Sequence, residues 1–419
     1  APRTTPHNCV RRRLPVHHTA HRHTERSTSS LVSHLPAVLL ISRRSIAGLL
    51  CMRRRRMGAL HVGEPRVSFQ PQVSSKNCGG HGAVVEEIHG LIRVHKDGHV
   101  ERLPAVPDVP CEWGSTAAGS GVIARDVAVD RATGVWARLY APAAVSAGKV
   151  PVVVYFHGGG FCVGSAAWSC YHEFLAQLPL RAGCAVMSVD YRLAPEHRLP
   201  AAFDDGVAAV RWLRQQAGYS RNNSTSASDE VSWWRSRCRF DRVFLMGDSA
   251  GASIAFHVAA RLGQGQLGAL APLSVKGAIL IQPFFGGEAR TASEKTTPQP
   301  PRSALSLATS DSYWRMALPA GGAGGRDHPW CNPLSRGAPR LEALALPPLL
   351  VCVAEADVLR DRNLELCRAL RKGGKSVEQA TYGGVGHAFQ VLHNYHLSQP
   401  RTQEMLAHIR AFVSARSTS

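Results

Sequence analysis

The amino-acid sequence predicts an α/β fold in which a mostly parallel sheet carries helices on both of its faces. Two short apolar runs, residues 151–156 and 243–246, contain β-branched and aromatic side chains, and each leads into a glycine-containing turn. Such runs are typical of buried parallel strands. Further apolar runs follow, and they alternate with stretches of helical periodicity. This alternation favours parallel pairing through right-handed crossovers, which places helices on both sides of the sheet.

The first 83 residues differ in composition from the rest of the 419-residue chain. They contain 14 Lys and Arg against two acidic residues, so most of the net charge of +19 lies in this stretch. We interpret residues 1–83 as a basic low-complexity extension that is disordered, transit-peptide-like or absent from the mature protein. Residues 84–419 are interpreted as one folded domain, because a chain of this length can bury a large core.

The composition disfavours several functional classes. The apolar patch of the extension, residues 36–41, is far shorter than the ~20 residues that cross a bilayer. Aromatic residues do not interleave with its arginines, which disfavours a nucleic-acid-binding arm. The 11 cysteines include no Cys-x-x-Cys pair, so we expect free thiols in a reducing compartment and no metal site. We therefore expect a cytoplasmic protein, or an organellar one if the extension is a transit peptide.

The start of the folded domain predicts β-structure. Residues 84–103 are interpreted as a hairpin, because alternating apolar positions precede the turn-forming residues 96–99. Residues 121–129 and 135–140 alternate apolar and polar side chains. This pattern is typical of antiparallel strands with one buried face.

The segment between the two glycine turns continues the alternation. A helical stretch at 168–178 precedes an apolar strand at 184–189, and an amphipathic helix is predicted at 201–216. Residues 218–239 are polar and rich in Ser and Asn. We interpret them as a mobile surface insertion.

The first glycine turn is His157-Gly158-Gly159-Gly160. Three glycines after a strand indicate either a flexible turn or a loop whose N–H groups approach a ligand oxygen without interference from side chains. Downstream, Arg192 and Glu196 are interpreted as ion-pairing residues that hold the loop beneath this strand, and not as direct participants in chemistry.

The second glycine turn, Gly247-Asp248-Ser249-Ala250-Gly251, follows the strand at 243–246 and precedes a helix that ends at Gly263. A serine on a sharp strand-to-helix turn exposes its hydroxyl above the sheet, and the flanking glycines let the helix and strand pass closely. Ser249 is therefore the candidate nucleophile. Because a hydroxyl is a poor nucleophile at neutral pH, it needs a base, and the base needs an orienting carboxylate.

Candidates for the acid and the base follow two later strands. Asp357 comes just after the apolar run 349–354, at the carboxyl end of a strand, where open α/β sheets place their sites. We favour it over Asp361, which we expect at the first turn of the next helix as a capping acid. His387 lies in a glycine-rich loop after a strand at 376–382, and we take it as the base.

These motifs together resemble the plant carboxylesterases of the hormone-sensitive-lipase group of α/β-hydrolases, a group that includes the gibberellin receptor. The resemblance extends from Val84 to the end of the chain. It rests on five motifs in the family's order, at residues 157–160, 190–197, 247–251, 357–361 and 386–389. One departure is visible, since many members have Gly-Asn where this chain has Ala252-Ser253. We expect this change to alter helix packing and not chemistry.

The resemblance implies an α/β-hydrolase fold with a mostly parallel eight-stranded sheet, and a lid built from the N-terminal segment and a late insertion at 286–326. The catalytic triad that it implies consists of Ser249, Asp357 and His387. The amides that it implies for the oxyanion hole are those of Gly158, Gly159 and Ala250.

The resulting prediction is a serine carboxylesterase that hydrolyses a small-molecule ester through an acyl-enzyme, with no cofactor and no nucleic-acid partner. Two alternatives stay open. In the gibberellin receptor the histidine is replaced and a hormone binds without turnover, so the presence of His387 favours an enzyme. Some plant relatives dehydrate a hydroxyisoflavanone in the same pocket, and the motifs do not exclude this reaction. The natural substrate and the oligomeric state do not follow from the residues.

Overall fold

The computed structural model describes residues 80–111, 121–144, 148–221, 230–298, 303–321 and 324–417. The described part opens with a small antiparallel sheet of strands β1 (Val84–Ile88), β2 (Ile92–His95) and β3 (Val100–Arg102). The predicted hairpin therefore forms, with β1 added to it. The backbone N–H of Lys96 donates to the carbonyl of Ala83, so ordered pairing begins one residue before the predicted boundary.

An eight-stranded sheet forms the centre of the fold, as predicted. Its strands are β4 (Val122–Asp130), β5 (Val135–Pro142), β6 (Val150–Phe156), β7 (Ala185–Asp190), β8 (Cys238–Asp248), β9 (Val275–Ile281), β10 (Leu349–Ala354) and β11 (Val377–Tyr382). They lie in the order β11-β10-β9-β8-β6-β7-β5-β4. Every pair from β11 to β7 is parallel, and β5 pairs antiparallel with both β7 and β4. The carboxyl ends of six neighbouring strands therefore meet along one edge.

Helices cover both faces of this sheet. They are α1 (Ser169–Leu175), α2 (Leu178–Arg181), α3 (Ala201–Arg221), α4 (Ser232–Arg235), α5 (Ala250–Gly263), α6 (Ala292–Thr296), α7 (Leu307–Ala317), α8 (Arg360–Lys372), α9 (Phe389–Leu392) and α10 (Ser398–Ala415). Alternate residues of each strand belong to different cores. Val152 and Val154 share one hydrophobic cluster with α3, α5 and α8, whereas Val153 shares the other with α1, α2 and α10.

Two predicted elements differ from the observed ones. The helix expected at 168–178 is divided into α1, which ends at Leu175, and α2, which begins at Leu178, because Pro179 in the first turn of α2 has no N–H to continue the hydrogen bonds of α1. The prediction of a mobile insertion at 218–239 is wrong at both ends of this segment, whereas residues 222–229 lie outside the described residues. Helix α3 continues to Arg221, and β8 begins at Cys238. Between them Trp234 of α4 is fully buried, and its indole N–H donates to the Tyr140 carbonyl at 3.1 Å.

Several sequence-based expectations concern residues 1–79, and these lie outside the described residues. Within the described part, no helix is both long and apolar enough to cross a membrane. The eight cysteines that the structure describes carry free thiols; Cys111 is half-buried and the others are buried. Burial raises the pKa of each of these thiols above its usual range.

Candidate active site

Ser249 occupies the turn between β8 and α5, where it is the residue that precedes the helix. Its backbone lies at φ 51° and ψ −120°, a conformation that few non-glycine residues adopt. The backbone N–H of Ser249 donates to the Ile281 carbonyl at 2.8 Å, which fixes this turn against the end of β9. A side chain at Gly251 would overlap the Phe156 carbonyl, so only glycine lets the helix start this close to β6.

A continuous line of hydrogen bonds joins the three candidate catalytic side chains. His387 Nε2 lies 2.8 Å from Ser249 Oγ, and His387 Nδ1 lies 2.8 Å from Asp357 Oδ2. All three side chains are buried, and Asp357 Oδ1 accepts a further hydrogen bond from the Leu359 N–H. With a proton on Nδ1 directed at the carboxylate, Nε2 is free to accept the serine proton.

The other acids near this site have different partners. Asp361 accepts from the Ser293 N–H at 2.6 Å and pairs with Arg360, so it fastens α6 to the start of α8. Glu355 accepts from the Gly384 N–H at 3.0 Å. Neither acid is hydrogen-bonded to His387, whereas Asp357 is.

The glycine loop differs from the expectation at one position. The N–H of Gly158 donates to the Tyr171 hydroxyl at 2.9 Å, so this amide is already used. Gly159 and Gly160 line the cavity beside Ser249, both at positive φ, and their N–H groups have no acceptor within the described residues. Residue choice is restricted here, because a side chain at Gly159 would overlap the Val163 carbonyl.

The last expected oxyanion donor is Ala250, the first residue of α5. The first N–H groups of a helix have no intrahelical acceptor. The amides of Gly159, Gly160 and Ala250 are therefore the unpaired backbone donors next to Ser249 among the described residues. Gly160 was not among the residues predicted from the sequence, because three successive glycines do not reveal which of their amides is paired elsewhere.

Ion pairs hold the loops around this site, as expected for Arg192 and Glu196. Arg192 pairs with the buried Asp205 at 2.7 Å. Glu196 pairs with Arg102 of β3 at 2.6 Å, and the same guanidinium donates to the Cys162 carbonyl at 2.7 Å. Arg102, which the sequence analysis did not single out, thus connects the N-terminal sheet to the segment that follows the glycine loop.

A cavity of about 200 Å³ opens beside Ser249 and His387. Its walls come from the glycine loop, from α1 and α9, and from both predicted lid segments. The apolar lining residues from the lid segments and α9 are Ile88, Leu91, Ala105, Val106, Ala304, Leu305, Val391 and Leu392. The lining contains no Lys or Arg among the described residues, so the cavity suits a neutral, largely apolar ligand.

Comparison with known proteins gives consistent results. The profile of a family described as having the α/β hydrolase fold matches residues 153–391. Probable carboxylesterase 6 of Arabidopsis thaliana is 46% identical over 360 residues, which are 84% of this chain and 98% of that protein. The 2-hydroxyisoflavanone dehydratase of Glycyrrhiza echinata is 33% identical over 336 residues, 78% of this chain and 95% of that protein. Among solved structures, an esterase of Pyrobaculum calidifontis superposes with a TM-score of 0.56 at 26% identity, covering 71% of this chain and 86% of that one.

Proposed function

Because the chain belongs to the α/β-hydrolase family that contains plant carboxylesterases, we propose that Ser249, His387 and Asp357 catalyse its ester hydrolysis. The chain is a carboxylic ester hydrolase, as its 46% identity to a probable carboxylesterase and its likeness to solved esterases indicate. The observation that carries the assignment of residues is the pair of 2.8 Å contacts that join the three side chains.

The first half of the reaction transfers the acyl group to the enzyme. His387 Nε2 takes the hydroxyl proton as Ser249 Oγ bonds to the ester carbonyl carbon, and the carbonyl electron pair moves onto oxygen. The N–H groups of Gly159, Gly160 and Ala250 receive this negative charge. The bond to the alcohol then breaks, and His387 gives its proton to the departing oxygen.

The second half releases the acid by the same steps with water in place of the serine. His387 takes a proton from water, and the resulting hydroxide attacks the acyl carbon. Collapse of the second tetrahedral intermediate returns the proton to Ser249 Oγ. Asp357 holds the imidazole in one tautomer and stabilises its charged form.

The cavity supports a proposal about the substrate. A volume of about 200 Å³ with an apolar lining favours neutral esters whose acyl group is short. Without Lys or Arg in the described lining, a free carboxylate on the substrate would lack a partner. We therefore expect acetate and butyrate esters of aryl alcohols to be hydrolysed faster than long-chain or anionic esters.

The test compares Ser249→Ala with Ser253→Ala, a matched change one helical turn away. Ser253 is also buried, and its hydroxyl donates to the Phe284 carbonyl instead of taking part in the triad. We expect Ser249→Ala to abolish both hydrolysis of p-nitrophenyl acetate and labelling by a fluorophosphonate, and Ser253→Ala to retain the labelling. Hydrolysis at an undiminished rate in Ser249→Ala would remove the proposal.

Dehydration is a second candidate function, because a relative that is 33% identical is a 2-hydroxyisoflavanone dehydratase. Elimination needs the oxyanion amides to stabilise an enolate but needs no acyl-enzyme. Incubation of wild-type and Ser249→Ala protein with 2-hydroxyisoflavanone distinguishes the two functions. Product formation that survives in Ser249→Ala would assign dehydration to this cavity alongside ester hydrolysis.

The cellular compartment depends on the basic extension. We infer a cytoplasmic protein unless residues 1–83 act as a transit peptide. The arginine-rich, acid-poor composition of these residues is typical of transit peptides. Fluorescent fusions of the full chain and of the chain without residues 1–79 test this in plant cells. Organellar fluorescence of the full chain alone would assign the extension a targeting role.

A further inference from the structure

Asp248 directly precedes the nucleophile but takes no part in the reaction steps of the proposed mechanism. Its side chain is almost completely buried. Three side chains donate hydrogen bonds to it: the Tyr155 hydroxyl at 2.7 Å, the Tyr171 hydroxyl at 3.3 Å and the Gln390 amide at 3.5 Å. Burial raises the pKa of Asp248 to about 6, so at neutral pH it is a buried carboxylate surrounded by donors. A buried carboxylate destabilises the folded state, so its presence beside the nucleophile requires an explanation.

One branch of its contacts reaches the oxyanion loop. The Tyr171 hydroxyl has a single hydrogen, which it donates to Asp248, and its lone pair accepts the Gly158 N–H at 2.9 Å. The loop lies directly against the carboxylate, since a side chain at Gly158 would come within 2.8 Å of Asp248 Oδ2. Asp248 thus fixes the orientation of the Tyr171 hydroxyl, and that hydroxyl fixes the amide one residue before the oxyanion donors.

A second branch reaches the histidine loop. The Gln390 side-chain oxygen accepts from the Gln282 amide at 3.4 Å, and the Gln282 oxygen accepts from the Ala388 N–H at 2.6 Å. Both glutamines are fully buried. Ala388 follows the catalytic histidine and has a positive φ of 58°, a conformation that needs support from its surroundings in a non-glycine residue.

We propose that Asp248 is a positioning residue that sets the oxyanion loop and the histidine loop relative to each other, through Tyr171 on one side and Gln390 and Gln282 on the other. The proposal rests on the esterase mechanism proposed above. Oxyanion donors work only when they are held close to the position of the developing charge, and supporting hydrogen bonds supply that constraint. The carboxylate is the acceptor common to both branches, so a single group controls both loops.

The first experiment replaces Tyr171 by Phe, which keeps the ring in the cavity wall and removes the acceptor for the Gly158 N–H. The control is Tyr140→Phe, another fully buried tyrosine on the same side of the sheet, whose hydroxyl contacts His172 and neither loop. The readouts are kcat and KM for p-nitrophenyl acetate, and the inhibition constant of an aryl trifluoromethyl ketone. This ketone forms a tetrahedral adduct with the serine and places its oxyanion on the loop amides.

We expect Tyr171→Phe to lower kcat about 10- to 100-fold with little change in KM, less than the 10²–10³ lost with a whole oxyanion donor. Affinity for the ketone should fall by the same factor, whereas Tyr140→Phe should change neither quantity by more than about threefold. Asp248→Asn should reproduce the Tyr171→Phe pattern. Equal effects of Tyr171→Phe and Tyr140→Phe on kcat and on ketone affinity would overturn the proposal.

The second experiment tests the other branch with Gln390→Met, a change of similar side-chain length. Fluorophosphonate labelling requires His387 to take the Ser249 proton, so its rate constant reports the placement of the histidine loop. We expect this rate constant to fall about tenfold, because a proton acceptor that has shifted from its position takes the serine proton less efficiently. An unchanged labelling rate would disprove the histidine branch. Failure of the esterase assignment itself is distinguishable, because it would appear as hydrolysis that survives Ser249→Ala.

Discussion

Asp357 and Asp361 lie four residues apart, and only their different positions relative to β10 separate their functions. Asp357 follows the strand directly and contacts His387, whereas Asp361 is in the first turn of α8 and contacts the Ser293 N–H. The sequence could favour Asp357 because catalytic residues of open α/β sheets lie just beyond strand ends. The contacts of Asp361 with α6 could not be predicted from the sequence, because they join residues that are 68 positions apart.

We expect Asp357→Asn to lower kcat about 10⁴-fold, because an amide no longer holds the imidazole in the tautomer that accepts the serine proton. Asp361→Asn is the matched control and should lower kcat by no more than about threefold. Both values come from steady-state hydrolysis of p-nitrophenyl butyrate. A larger loss in the Asp361 variant would reverse the assignment of the acid.

The buried charge of Asp248 should appear in the pH dependence of stability. Its folded pKa of about 6 lies above the ordinary value of 3.8, so the folded state binds its proton more tightly than the unfolded chain does. The resulting stability is fully present below pH 3.8 and is lost as the pH rises through 6. The titratable groups that face it are Tyr155 of β6, Cys170 and Tyr171 of α1, Tyr191 and His387.

Between pH 5 and pH 8, we expect the free energy of unfolding of the wild type to fall by ~1.4 kcal/mol relative to Asp248→Asn, which cannot titrate here. Urea unfolding of both proteins at the two pH values measures this difference. Titrating groups distant from residue 248 contribute equally to both proteins and cancel in the comparison. A constant difference, or one of opposite sign, would contradict a raised pKa.

At the scale of elements, the strands that precede catalytic residues were predictable, and the connections between them were not. The runs that became β6 and β10 are short, apolar and bounded by glycine or acidic residues, which is a strong local signal. The segment after α3 was misjudged because its Ser and Asn content outweighed two adjacent tryptophans, Trp233 and Trp234. The burial of Trp234 against Trp212 and Phe240 depends on tertiary packing.

Arg102 is one of the residues that connect the N-terminal sheet to the rest of the fold, together with Glu86, which pairs with Arg315 of α7 at 2.8 Å. We expect Arg102→Met to destabilise the protein by about 1 kcal/mol, a value reduced for partial exposure, and to speed amide exchange in β2 and β3. Because this sheet borders the cavity, KM for p-nitrophenyl butyrate should rise as well. Arg93→Met is the control, since Arg93 pairs with Glu87 and Glu101 within the same sheet and should have little effect. Equal exchange rates in the two variants would contradict a connecting role for Arg102.

At the scale of the whole molecule, the number of strands came from the family resemblance and not from residue patterns. Periodicity indicates strands but not their order, because β6 lies between β7 and β8 through contacts distant in sequence. The residues of the proposed triad could be selected from the sequence for a related reason: each follows a strand whose end reaches the same sheet edge. The Tyr171 contact with Gly158 was not, since α1 reaches the loop only after the chain has folded back.

We expect removal of residues 1–79 to leave kcat/KM for p-nitrophenyl acetate unchanged within about twofold, because all of the catalytic contacts described here join residues from 80 to 417. The cut belongs at 79 and not at 83, since Ala83 accepts from Lys96 and His81 contacts Asp97 at 3.0 Å. Assays and melting curves of the full and shortened chains check this expectation. A shortened chain with much lower activity would give the extension a role in catalysis.

The burial of the cysteines has a practical consequence for spectroscopy. A chain shortened at residue 79 retains only the eight described thiols, of which seven are buried and Cys111 is half-buried; the raised pKa of each thiol slows its reaction with maleimides. Val85, which is 59% exposed on β1, could then be replaced by Cys to give one fast-reacting attachment point. A dye placed there would report on the surroundings of β1, the strand whose last residue, Ile88, lines the cavity.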